Sequence, residues 1–85
     1  MDAELRRELI RRRLMERLLP RVHAVDVWDG VGDGTLCDAC EAPVTANQHA
    51  IQAIASQWSS IYLHVECFEV WSTERLAVLD IVPAT

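Results

Sequence analysis

Apolar side chains recur along the first segment at Leu5, Leu9, Leu14, Met15, Leu18 and Leu19, with Ile10 beside them, and charged residues fill the gaps. This spacing predicts an amphipathic helix over residues 2–19, about five turns long. Asp2 is placed to cap its N-terminus, Glu4 falls in its first turn, and Pro20, which has no N–H to donate, ends it. The apolar period drifts at Leu9, Ile10, Leu14 and Met15, which broadens the stripe enough to be shared between two packing partners.

Over residues 22–36 the helical period is lost, and Gly30, Gly32 and Gly34 lie among three aspartates. The segment reads as a loop. Its Gly-x-Gly-x-Gly is similar to part of a phosphate loop, but no adequate strand precedes it and a Cys-x2-Cys turn, not a helix, follows. Further on, residues 48–55 and 59–64 have the β-branched, alternating character of strands, and Ser56, Gln57 and Trp58 can turn a hairpin between them. Cys67, Phe68, Trp71, Arg75, Leu76 and Leu79 return to helical spacing, so a second helix is expected from near Val65, fading between Ile81 and Pro83. The expected class is α+β, with an N-terminal helix over residues 1–21 and a metal-stabilised unit over residues 22–85.

At 85 residues the chain makes one small domain whose hydrophobic core is thin, so a staple is expected. Its 51% hydrophobic and 25% charged content excludes a disordered or fibrous chain, and no apolar run approaches the roughly 18 residues of a membrane span. The net charge of −5 is unevenly placed: seven arginines and four acids in the first 21 residues give +3, and the remainder carries −8. All eight basic residues are arginine, which suits a GC-rich bacterial genome. Three cysteines cannot pair off within one chain, and arginines and glutamates interrupt any apolar leader, so a reducing cytoplasm is expected rather than export.

The chemistry is concentrated in Cys37-x2-Cys40 and, after a 23-residue spacer, His64-x2-Cys67. Two residues between the first pair let a tight turn aim both thiolates at one ion, and the second pair spans about one turn at a helix start, where the dipole favours thiolate. One structural Zn2+ held by Cys37, Cys40, His64 and Cys67 is the leading reading, with binding worth on the order of 10 kcal/mol. Plain reduced thiols or a redox pair are the alternatives, though the βαβ setting of a thioredoxin-like dithiol is missing. Four protein ligands leave no open position for catalysis. The His-x-Glu of His64 and Glu66 with a Cys-x2-Cys has the residues of a zinc deaminase in the wrong order. His49 can stand in for His64, although a solvent-facing strand histidine is the simpler reading, and His23 carries no signal. Trp28, Trp58 and Trp71, with Phe68 and Tyr62, either pack around the metal or mark a partner surface.

The run CDAC with LHVECF resembles the first zinc module of a LIM domain, Cys-x2-Cys, spacer, His-x2-Cys and a following Phe. LIM continues at once into a second module, whereas Glu69, Val70 and Trp71 follow here with no further cysteine. What remains is similar to a single treble-clef finger of knuckle, hairpin and helix. Across residues 14–75 the layout also resembles short uncharacterised bacterial zinc-finger proteins with an Arg-rich N-terminal helix. The LIM likeness implies a protein-interaction scaffold with Cys37, Cys40, His64 and Cys67 as ligands, an analogy of fold.

These readings together predict a non-enzymatic cytoplasmic adaptor or regulatory protein that meets a protein partner, or a second copy of itself, through the N-terminal helix and an aromatic surface. The rival is nucleic-acid binding through Arg6, Arg7, Arg11, Arg12, Arg13, Arg17 and Arg21, opposed by Glu4, Glu8 and Glu16 three or four residues from arginines.

Overall fold

The first helix, α1, runs from Ala3 to Met15, with the Asp2 side chain accepting the Glu4 N–H at its start. In the computed structural model, which describes residues 2–21, 24–55 and 60–81, it is followed by strands β1 (Ala24–Val31), β2 (His49–Ala55) and β3 (Ile61–His64) and by helix α2 (Val65–Ile81). The protein is a small α+β unit of two helices and one antiparallel sheet in the order β1-β2-β3. None of the described helices is long and apolar enough to cross a membrane.

The long helix expected over residues 2–19 is shorter: α1 has thirteen residues and stops four short of Leu19. Arg17 turns into the left-handed region at φ 62°, Leu18 N–H bonds the Arg13 carbonyl at 2.8 Å and Arg17 N–H the Leu14 carbonyl at 3.3 Å. That is a Schellman ending, made here with arginine where glycine is usual. Arg21 completes it, donating from Nε to the Leu14 carbonyl and from Nη2 to the Met15 carbonyl, both at 2.8 Å. The physical gain lies beyond the helix. The turn buries Leu19 and Pro20, and the Trp71 indole N–H of α2 bonds the Pro20 carbonyl at 2.9 Å.

Ile10 and Leu14 are fully buried in the same core as Trp71. Each such aliphatic side chain contributes roughly 1.5–3 kcal/mol. Above Trp71, Phe68 lies at 5.7 Å between ring centroids and the Arg75 guanidinium at 5.8 Å from the ring centre. Arg11 of α1 closes the helix pair, with Nε and Nη2 each 2.7 Å from Oε1 of the buried Glu74.

The loop expected over residues 22–36 is a strand for most of its length. β1 pairs with all of β2, Trp28 opposite Gln52 and Gly30 opposite Ala50, with one irregularity between Ala24 and Asp26. Seven of its eight residues are exposed, so its two faces carry no contrast of apolar and polar that a sequence could show. The glycines after it serve backbone packing. A Cβ on Gly32 would collide with the Val44 and Thr45 carbonyl oxygens, and Gly34 holds φ +91° while its N–H bonds the Val44 carbonyl at 2.8 Å. The run is therefore a close backbone crossing that leads into a turn, and it builds no phosphate loop.

β2 and β3 occupy the expected positions, paired Ala50 to His64, Ile51 to Leu63, Gln52 to Tyr62 and Ala53 to Ile61. Alternation sends Ile51, Ala53, Ile61 and Leu63 into the core, while Trp28, Gln52 and Tyr62 form a row across the other face. The turn expected at Ser56 to Trp58, and His23, lie outside the described residues. α2 starts at Val65 as expected, directly after the last strand residue, His64.

Candidate metal centre

Cys37 and Cys40 sit on a tight turn between Leu36 and Pro43, which form an isolated antiparallel bridge. Cys37 N–H bonds the Ala42 carbonyl and Glu41 N–H the Cys37 carbonyl, both at 2.9 Å, and Glu41 takes φ 65° to let the chain reverse. Inside the turn the Ala39 N–H points at Cys37 Sγ, 3.4 Å away. An amide aimed at sulfur stabilises thiolate.

Two latches place this turn against the other ligand pair. Asp38, in the turn, docks on β3: its N–H bonds the Tyr62 carbonyl at 2.8 Å, and its carboxylate accepts the Tyr62 N–H at 2.7 Å. Arg13 of α1 reaches across to Glu41, 2.9 Å away, and to the Asp38 carbonyl at 3.4 Å. Tyr62 is two residues before His64, so the first latch fixes the distance from knuckle to imidazole. Cys67 then follows in the first turn of α2.

The four donors converge. Cys37, Cys40, His64 and Cys67 place their ligand atoms within 4.8 Å of one another, close enough to hold one metal ion. His64 Nδ1 lies 3.4 Å from Cys40 Sγ and 3.9 Å from Cys67 Sγ. Tetrahedral zinc with its ordinary bond lengths would set nitrogen and sulfur about 3.6 Å apart. The other imidazole nitrogen, Nε2, is 3.2 Å from the Pro43 carbonyl, which can only accept, so Nε2 carries the proton and Nδ1 presents its lone pair to the sulfurs.

No disulfide links the three cysteines. Without an ion they compete for one negative charge. A hydrogen bond from the Cys67 thiol holds Cys37 down to about 4, burial pushes Cys40 up, and the Cys37 thiolate beside it pushes Cys67 up. A divalent cation among them relieves this competition by stabilising all three as thiolates.

His49 is exposed at the start of β2, opposite Val31, and stands apart from the four donors. Of the aromatic residues, Trp71 is core, Trp28 is half exposed on the sheet, and Trp58 lies outside the described residues. The supporting groups, Asp38, Arg13, Glu41 and the Pro43 carbonyl, carry no sequence signal. Asp38 lies inside the CDAC run and Glu41 directly after it, but nothing in their residue type marks either as a latch.

Five of the eight arginines have partners among the described residues. Arg7 pairs with Glu4 at 3.6 Å, Arg11 with Glu74, Arg13 with Glu41, and Arg21 with helix carbonyls, while Arg75 covers Trp71. The chain matches no protein-family model, no curated protein and no solved structure.

Proposed function

We propose that the chain is a treble-clef zinc finger, with Cys37, Cys40, His64 and Cys67 holding one structural Zn2+, and that it works as a non-enzymatic adaptor or regulatory protein in a reducing, cytoplasmic setting. The observation that carries the metal is the oriented imidazole: a histidine whose Nε2 donates to a backbone carbonyl and whose Nδ1 lies among three sulfurs is held as metal-binding histidines are held. Three sulfurs and one nitrogen suit zinc, and four protein donors fill its tetrahedron, which leaves the ion a structural role. The order of knuckle, β2–β3 hairpin and α2 supports the treble-clef reading.

The adaptor reading follows from the surfaces left over. α1 spends Ile10 and Leu14 on the core, Arg11 on the buried Glu74 and Arg13 on Glu41 of the knuckle, so it acts mainly as a brace for the finger. That weakens nucleic-acid binding and turns attention to exposed apolar groups: Leu5, Met15 and Leu18 around α1, and Trp28 on the sheet. Native mass spectrometry on reduced protein tests the metal. One zinc per chain is expected, lost with Cys40→Ser or His64→Ala. A folded chain that takes up no zinc would refute the reading.

A further inference from the structure

The solvent face of the sheet is hollowed. Trp28, Gln52 and Tyr62 form one wall across the three strands, Gly30 and Ala50 form a floor without bulky side chains, and Asp33 stands at the rim, enclosing a trough of about 240 Å3. Nothing lies within 4 Å of a Cβ built on Gly30, so the floor is open. Trp28 is 49% exposed, a large apolar ring left in water. The rim is rigid: the Tyr62 hydroxyl and the Thr35 N–H both donate to Asp33 Oδ1, at 3.3 and 3.0 Å. The volume lies below the roughly 300 Å3 at which small-molecule pockets begin, a size for one side chain rather than a cofactor.

Charge selects which side chain. Between residues 22 and 74 there is no lysine or arginine but eight acids, of which only Glu41 and Glu74 have arginine partners among the described residues. The surface around the trough attracts cations. Aromatic faces and a fixed carboxylate together favour guanidinium, which stacks on rings and forks onto carboxylates, over the compact, strongly hydrated ammonium of lysine.

We propose that this trough binds an arginine side chain presented by a basic segment of a partner protein, its guanidinium stacked on Trp28 and bonded to Asp33. The proposal rests on reading the chain as a binding module, and it gives that module a ligand class. It also links recognition to the metal, because Ala50 of the trough floor pairs directly with His64.

The test is an NMR titration of the full chain with a short arginine-rich peptide, a lysine-rich peptide of equal charge and an acidic one, with zinc content measured in the same sample. The arginine peptide should shift the Trp28 indole and the Gly30 and Asp33 amides and bind at least several-fold more tightly than the lysine peptide. Trp28→Ala and Asp33→Asn should each weaken it about tenfold, and Trp28→Phe should restore part of the loss. Equal binding of arginine and lysine, shifts confined to Glu66 and Glu69, or unchanged affinity in Trp28→Ala would overturn the proposal. Zinc-loaded protein without trough shifts fails this inference alone, whereas trough shifts on folded, zinc-free protein fail the zinc reading alone.

Discussion

Stripping the metal is the perturbation whose size can be set against the whole fold. A domain of 85 residues has a net stability of about 4–13 kcal/mol, and a structural zinc site supplies apparent binding of roughly 10–16 kcal/mol. Apart from the four donors, the fold around the site is held by the Asp38–Tyr62 pair, the Arg13–Glu41 bridge and the Trp71 core. Against them stand three sulfurs crowded within 4.8 Å of one another and of an imidazole, only one of which ionises readily. Such a contribution from the metal would equal or exceed the whole net stability, so on the zinc reading the chelated protein should be largely unfolded. The assay is thermal melting by near-ultraviolet circular dichroism, which reports the packed Trp71, before and after a tight chelator, with zinc added back. Even a loss of 3 kcal/mol would lower the midpoint by about 12–24 °C for a domain of this size. A chelated protein that keeps its tryptophan signal and melts within about 3 °C of the untreated sample would show that the donors are incidental to stability, and the argument from spacing and imidazole orientation would fail with it.

Gly32→Ala should cost several kcal/mol in urea unfolding, on the order of 3 or more, because its Cβ would collide with two backbone carbonyls that cannot move aside, whereas Gly30→Ala should stay within about 0.5 kcal/mol. Arg11→Ala leaves the buried Glu74 carboxylate without its partner. Since Arg11 itself is half exposed and water can reach its place, the expected loss is about 2–3 kcal/mol, less than for a fully buried pair, and an Arg11→Met/Glu74→Met double replacement should regain most of it. Hydrogen bonds from Thr35, then from Tyr62, hold the Asp33 carboxyl below its ordinary 3.8. Because the folded value is the lower one, its contribution is present above the unfolded value and fades as pH falls through the folded one; carboxyl NMR should find Asp33 titrating below 3.8, and a midpoint at or above that value would contradict the geometry.

The parts legible in the sequence were those with a local cause. Helix spacing located α2 and the start of α1, and β-branched alternation located β2 and β3. The spacing carries α1 past its true end because Pro20 marks the last residue a helix can reach, whereas the Trp71 indole, 51 residues away, bonds a chain that has already left the helix. β1 reads as a loop because its glycines and aspartates argue for turns when read singly. Only the ladder to β2 makes them a strand, and an exposed edge leaves no alternation to read.

What this sequence determined by itself was the set of candidate donors, since two close pairs of ligand residues are the spacing that one ion would require. What only the tertiary structure decided was how those donors are oriented and what surrounds them. A backbone carbonyl at Pro43 assigns the histidine nitrogen, an aspartate within the knuckle docks it to β3, and the buried Glu74 and the exposed Glu41 pair with Arg11 and Arg13. The reason is physical: ligand type is a property of a residue, whereas tautomer, charge pairing and exposure depend on neighbours that folding brings from distant parts of the chain.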